Sequence, residues 1–139
     1  MRITTKGRYA LRAVIALAEM SKDGKMISIK TLSETENISR VFLEQIFFKL
    51  RKAGIVKSVR GPGGGFSFTG PLESISVRQV FLAASEELEV LPCDRSSNDC
   101  DKISDCRCHK LITSATGLLN KYFNSVNLKM LLSNKEFNT

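Results

Sequence analysis

The chain has 139 residues, of which 42% are hydrophobic, and it carries a formal net charge of +7 at neutral pH. A chain of this length can bury one hydrophobic core, so it does not need disulfide bonds between its four cysteines in order to fold. Arg8, Arg12 and Glu19 interrupt the N-terminal apolar segment, which excludes a signal peptide and a membrane span and predicts a cytoplasmic protein with reduced thiols.

The positive charge is concentrated in the first half of the chain. Residues 1–70 contain 13 lysines and arginines against 5 acidic residues, whereas residues 71–139 contain 8 against 9. A one-sided excess of this size predicts a polyanionic partner. Nucleic acid is favoured over an anionic membrane surface, because no segment pairs a basic face with a broad Trp or Phe face.

Three helices are predicted before the chain reaches residue 54. The first follows an N-cap at Thr4 or Thr5 and ends at the segment KDGK. The second follows Ser28, and the third begins at Ser39 and is ended by Gly54. The third helix is expected to turn one apolar face to the core, formed by Leu43, Ile46, Phe47 and Leu50.

Only the segment NIS separates the second helix from the third. Asn37 at its start can adopt the left-handed backbone conformation that a tight turn needs. Two short helices joined in this way form a helix-turn-helix candidate, although an ordinary helical hairpin fits the same pattern.

Residues 55–70, IVKSVRGPGGGFSFTG, predict a two-stranded hairpin with a glycine-rich tip. A phosphate-binding nucleotide loop is rejected, because no Gly-Lys-Ser/Thr follows the glycines and the loop opens into a strand. A hairpin directly after a helix-turn-helix is typical of a wing. Its bare tip can approach a sugar-phosphate backbone while Arg60 reaches a groove or a phosphate.

Two further helical patterns follow the hairpin. Ser76 is expected to cap a fourth helix that ends at the acidic segment EELEV. Beyond the cysteines, an apolar stripe of more than four turns predicts dimerisation with a second copy, with folding back onto its own domain as the alternative. The stripe consists of Leu111, Ala115, Leu118, Leu119, Tyr122 and Val126.

The predicted fold class is therefore mainly α with a small β-hairpin. A winged helix-turn-helix domain is expected over residues 1–86 and a Cys-rich loop over residues 87–109. A long C-terminal dimerisation helix and a short last helix are expected within residues 110–139.

All four cysteines and the only histidine lie within residues 93–110. In a reducing compartment such a cluster indicates a metal site before it indicates disulfides. If Ser104 or Asp105 caps the following helix, Cys106 and His109 share a face of its first turn and Cys108 points elsewhere. The first candidate ligand set for a cluster or a zinc ion is Cys93, Cys100, Cys106 and His109, with Cys108 as a substitute; an all-cysteine zinc site is the alternative.

Cysteine catalysis is not favoured by this segment. The chain has no second histidine to act as a base and no Cys-x-x-Cys pair.

The segments MRITTKGRYALRA, SRVFLEQIFFKLRKAGIVKSVRGPGGGFSF and the Cys-rich loop resemble the iron-sulfur regulators of the Rrf2 family of bacterial winged-helix transcription factors. The resemblance runs from Met1 to about Leu131. It implies a homodimer that binds double-stranded operator DNA and is not an enzyme. It also implies that the forms with and without an iron-sulfur cluster bind different operators. Cluster-assembly proteins are further partners that it implies.

The resemblance also implies which residues act. A [2Fe-2S] cluster would be held by Cys93, Cys100, Cys106 and His109. In such regulators Glu44 tunes operator choice, because a carboxylate facing the bases can accept a hydrogen bond from cytosine. The implied DNA-binding positions are Lys6, Ser39, Arg40, Val41, Glu44, Gln45, Arg60, Gly61, Pro62 and Gly63.

Two departures from the family pattern leave details open. The first gap between cysteines is one residue longer, and Cys108 is additional, so a [4Fe-4S] cluster is an alternative. Arg8 occupies the position at which nitric-oxide-sensing relatives use an acidic ligand, and a guanidinium cannot replace that ligand. Two alternative functions are open. The first is a regulator of the same fold that holds zinc or no metal and responds to a small molecule or a partner protein. The second is a metalloenzyme.

Overall fold

The computed structural model describes residues 3–91 and 100–133. Within these residues the chain forms six α-helices, one antiparallel hairpin and a short 3-10 turn. Their bounds are α1 (Thr5–Met20), α2 (Ile29–Glu36), α3 (Arg40–Lys52), β1 (Val56–Val59), β2 (Gly65–Phe68), the 3-10 turn (Leu72–Ser74), α4 (Val77–Ala83), α5 (Arg107–Ser125) and α6 (Leu128–Leu132). This order confirms the predicted fold class.

The first four helices begin where the sequence predicted. Thr4, Ser28, Ser39 and Ser76 cap α1 to α4, each accepting a hydrogen bond from a backbone N–H of the first turn. Asn37 ends α2 in the left-handed region, with φ 52° and ψ 47°. Because these signals are local, the ends of α2 and α3 are specified by residues that are close in sequence.

The main hydrophobic core lies between the first three helices and the hairpin. From α3 it takes the four predicted residues, Leu43, Ile46, Phe47 and Leu50, all of which are buried. Leu128 of α6 is also buried in this core, so part of the predicted dimerisation segment packs on the winged domain. A second, smaller cluster joins α4 to the segments on both sides of α5 and consists of Val77, Phe81, Leu88 and Val126.

The hairpin is fastened to the helical domain by a backbone bridge. Ile27 and Phe66 exchange two hydrogen bonds, with N···O distances of 3.0 and 2.8 Å. Gly65 has a φ of 149°, and a Cβ at this position would lie 2.5 Å from the backbone of Ile27. Only glycine allows the strand to approach Ile27 this closely, so the bridge fixes the base of the wing.

Two boundaries differ from the sequence analysis. The segment EELEV does not continue α4, which ends at Ala83 before Ser85 turns the chain with φ 61°. Acidic residues at a helix C-terminus would be opposed by the helix dipole, and here the chain leaves the helix before them. Val126 lies beyond α5 and is buried in its own chain, so its side chain is not part of an exposed stripe.

Among the helices within residues 3–91 and 100–133, none is both long and apolar enough to cross a membrane.

Candidate nucleic-acid interface and sensor segment

The outer face of α3 is exposed because the opposite face fills the core. Ser39 at the N-cap is exposed, and Val41 and Phe48 retain 65% and 57% of their accessible surface. The predicted DNA-reading positions of this helix, Arg40, Val41, Glu44 and Gln45, are therefore all exposed. Phe48 was not predicted, although its position seven residues after Val41 places it two turns further along the same face.

The hairpin tip lies next to this helix in the chain and is open to solvent. Residues 60–63, which hold the predicted wing contacts, are exposed. The Gly64 N–H donates to the Gly61 carbonyl at 2.9 Å and closes the turn. Of the remaining predicted contact, Lys6, the structure shows only that it is half-buried in the first turn of α1.

Arg51 joins α3 to the hairpin. Its Nη1 donates to Ser58 Oγ in β1 at 3.1 Å, and its guanidinium carbon lies 5.8 Å from the centre of the Phe48 ring. This bridge holds the outer face of α3 and the hairpin as one surface. Four basic residues and a single acid, Glu44, lie within α3, so the surface is positively charged.

Glu86 lies where the chain leaves α4, and its carboxylate is buried, with 4% of the residue exposed. Its oxygens accept hydrogen bonds from Thr4 N at 3.2 Å, from Thr4 Oγ1, and from Gly7 N at 3.1 Å. A Cβ on Gly7 would lie 2.2 Å from Glu86 Oε2, so any larger residue there would displace the carboxylate. The carboxylate therefore caps α1 from a position about 80 residues away in sequence.

Ser85, the residue before Glu86, makes a contact with α3. Lys49 Nζ of α3 donates to Ser85 Oγ at 3.0 Å. The Ser85–Glu86 corner thus touches both α1 and α3 immediately before the Cys-rich segment. Sequence reasoning missed this corner, since nothing local in EELEV indicates which distant amides Glu86 will meet.

The Cys-rich segment enters α5 differently from the prediction. Cys106 itself is the N-cap, and its Sγ accepts from His109 N at 3.4 Å. Ser104 and Asp105 do not cap the helix, because residues 100–105 form turns closed by Ile103 N to Cys100 O and Asp105 N to Lys102 O. Cys106 and His109 nevertheless share the first turn, as expected.

The described cysteines differ in exposure. Cys100 and Cys108 are exposed and Cys106 is half-buried; none of these three is in a disulfide. Cys93 lies outside the described residues. Within the part of the chain that the structure describes, no three His, Cys, Asp or Glu side chains come together as a metal site, and this holds for the three described members of the predicted set.

A cleft of about 690 Å³ lies between the corner and the first half of α5. Both Glu86 and His109 line it. One wall is held by Asn120, whose Nδ2 donates to Leu88 O at 3.0 Å and whose Oδ1 accepts from Arg78 Nε at 2.9 Å. The predicted ligand His109 therefore lines the same cleft as the residues that touch α1 and α3.

The other side of α5 carries an apolar face that none of the described residues covers. In α5, which the structure describes completely, no residue is buried. Leu111 and Leu118 are each 68% exposed and Tyr122 is 39% exposed, while Ala115 and Leu119 are half-buried. The helix contacts its own chain through Phe123, whose ring packs edge-on against Phe81 with centroids 5.3 Å apart.

Comparison with known proteins places the whole chain in one family. The model of the Rrf2 family, iron-dependent transcriptional regulators, matches residues 3–134. An HTH-type transcriptional regulator of Neisseria meningitidis is 38% identical over 97% of this chain and 90% of its own length. The regulator IscR of Escherichia coli O1:K1 is 37% identical over 98% of this chain and 83% of its own length.

A solved structure agrees with the sequence relatives. Oxidised CymR of Staphylococcus aureus has a TM-score of 0.75 and 31% identity, covering 98% of this chain and 99% of that one. These relatives are regulators, in agreement with the prediction that the chain is not an enzyme. The chain is therefore a member of the Rrf2 family of transcriptional regulators.

Proposed function

We propose that the chain is a cytoplasmic, homodimeric regulator that binds operator DNA and responds to iron-sulfur cluster status. The observation that carries the proposal is the single basic surface formed by the outer face of α3 and the hairpin, joined by Arg51 and Ser58. A helix of this kind enters the major groove while a wing follows the neighbouring backbone. Arg40 and Arg60 supply charge at the start of the helix and at the wing tip.

The uncovered α5 face supports dimerisation. Leu111, Leu118 and Tyr122 form an exposed apolar surface that a second copy of the same helix would cover. A two-fold pair would present its two α3 helices to successive major grooves, about 34 Å apart on one face of the duplex.

The donor chemistry of the Cys-rich segment fits a cluster. Cys106 and His109 share the start of α5, and Cys100 precedes them by a short turn. We propose Cys93, Cys100, Cys106 and His109 as the ligands of a [2Fe-2S] cluster, with Cys108 in place of His109 if the cluster is [4Fe-4S] or the metal is zinc. When bound, the cluster would supply a redox-sensitive cross-link between the Cys-rich loop and α5.

The chain's own residues offer a path from this segment to the DNA. His109 and Glu86 line one cleft, Glu86 caps α1, and Ser85 accepts from Lys49 of α3. Ordering the corner would therefore order the start of α1 and one side of the reading helix. To switch an operator from mostly free to mostly bound, loading must change the binding free energy by about 2–5 kcal/mol.

The DNA-binding face is tested with Arg40→Ala and Arg60→Ala. Each variant should weaken operator binding and lower the slope of log affinity against log salt by about 1. Lys121→Ala, which removes an exposed lysine of α5, is the control and should leave the slope unchanged. If both arginine variants bind like the parent protein, the proposed face is wrong.

The cluster is tested by anaerobic purification. Visible absorption with near-stoichiometric iron and sulfide is expected, and it should be lost in a Cys93/Cys100/Cys106 triple serine variant. That variant should also select a different set of operators from random DNA. A colourless protein containing zinc would instead support the same-fold regulator without a cluster. Turnover without DNA binding would support a metalloenzyme.

A further inference from the structure

We propose that α3 reads the methyl groups of thymine with two apolar side chains, Val41 and Phe48, beside the polar readout by Glu44 and Gln45. This inference rests on the proposed function, since it places α3 in the major groove of operator DNA. It assigns a specificity-determining role to Phe48, which neither the sequence pattern nor the family resemblance indicated.

The geometry of the outer α3 face supports the assignment. Val41 is 65% and Phe48 57% exposed, and together with Glu44, Gln45 and Lys49 they line one shallow depression. Val41 and Phe48 are seven residues apart, which corresponds to a rise of about 10.5 Å along the helix. That distance equals about three base-pair steps of B-DNA at about 3.4 Å each.

The surrounding charge identifies DNA as the occupant of this apolar face. An exposed phenylalanine would fit a protein partner equally well if its neighbours were neutral. Here the charged neighbours on α3 and the hairpin are all cationic except Glu44, the only acid within the helix. The exposed or half-buried cations are Arg40, Lys49, Arg51, Lys52, Lys57 and Arg60.

The Phe48 ring is also held toward the hairpin. The Arg51 guanidinium lies 5.8 Å from the ring centre and is itself fixed by the hydrogen bond to Ser58. The ring therefore lies on the same side of α3 as the wing, where a bound duplex would pass. This contact favours one position of the ring before DNA arrives, which reduces the conformational freedom lost on binding.

The chemistry of the major groove supplies a matching ligand. Thymine is the base that presents a methyl group there, and apolar side chains contact it. Glu44, one turn after Val41, can accept from the amino group of cytosine. The outer face of α3 would thus read a methyl group, a hydrogen-bond donor and a second methyl group in order.

The test removes single methyl groups from DNA. An operator is first selected from random DNA with the full-length protein, and each thymine is then replaced in turn by deoxyuridine. We expect two thymines per half-site, about three steps apart, at which the replacement weakens binding about three- to fivefold. Phe48→Ala should abolish the sensitivity at one of them and Val41→Ala at the other, because each double change measures the coupling of one side chain to one methyl group.

Leu82→Ala, which truncates an exposed apolar residue of α4, is the matched control and should retain both sensitivities. Circular dichroism and thermal denaturation check that the variants are folded, which is expected since both target side chains are exposed. The inference is overturned if Phe48→Ala binds like the parent protein, or if it weakens binding equally for thymine and deoxyuridine duplexes. Failure of the parent protein to bind any duplex at low salt would instead refute the proposed function.

Discussion

Helices α3 and α5 differ in how far one chain completes their surroundings. In α3, 13 residues long, four side chains are buried, and four basic residues surround Val41 and Phe48 on the outer side. In α5, 19 residues long, none is buried and the exposed face is apolar. A charged surface is stable in water, whereas an apolar one needs a cover. The winged domain is therefore complete within one chain, while α5 forms the half-interface of the proposed dimer.

The largest expected effect comes from placing a charge on the α5 face. Leu118→Glu should dissociate the dimer, because two-fold symmetry places the substitution at the interface twice and removes about 3–6 kcal/mol of apolar burial. Sedimentation velocity should show a monomer, and operator affinity should fall because the second binding unit is lost.

The same variant separates the two regions. Its winged domain should keep the far-ultraviolet circular dichroism and the secondary structure of the parent protein, since Leu118 is 68% exposed in the single chain. Lys121→Glu, an exposed change on the same helix, is the control and should leave the dimer intact. A dimer that persists in Leu118→Glu would contradict the assignment of this face.

An intermediate effect is expected at the corner that connects the two regions. Glu86→Ala removes the carboxylate that accepts from Thr4 N and from the buried Gly7 N, which should lower the free energy of unfolding by about 1–3 kcal/mol. Gly7→Ala should act through the same contact, since its Cβ would displace the carboxylate. Urea denaturation measures both, with Glu34→Ala on the exposed side of α2 as the control.

The double variant, Gly7→Ala with Glu86→Ala, tests whether the two residues act through the same contact. Removing the carboxylate makes room for the Cβ that Gly7→Ala adds, so the combined loss should be clearly smaller than the sum of the single losses. Additive losses would show that Gly7 and Glu86 act separately and would remove the proposed path from the Cys-rich segment to α1.

The corner also marks the limit of what the sequence predicted. The caps at Thr4, Ser28 and Ser39 and the buried face of α3 were predicted correctly, because capping and helical periodicity act over a few residues. Glu86 meets amides 79 and 82 residues away, and no local pattern encodes that pairing.

Two errors around α5 have a similar physical origin. A thiol took the capping role that was expected of Ser104 or Asp105, because the preceding residues close turns of their own. Val126 continued the apolar spacing of the stripe after the helix had ended, so the pattern alone could not show that this side chain turns into the core. The ligand set and the DNA contacts remain predictions.

The smallest expected effect concerns how the C-terminal end is attached to the winged domain. Glu73, in the 3-10 turn, forms an ion pair with Lys129 of α6, and both side chains are at least half exposed. The hydrogen bond from Lys129 is the main cause that lowers the pKa of Glu73 below its usual value of 4.5. Because the folded-state pKa is the lower one, the stabilisation is present above the unfolded-state pKa and is lost as the pH falls through the folded-state value.

Glu73→Gln should therefore lower the Tm by only about 1–2 °C at pH 7, and the difference should shrink as the pH is taken below 4.5. Thermal denaturation at several pH values measures this, with Glu34→Gln as the control. A much larger decrease would mean that the ion pair, and not the burial of Leu128 in the main core, attaches α6. A surface contact would then attach α6, and the winged domain would have to be defined as ending before this helix.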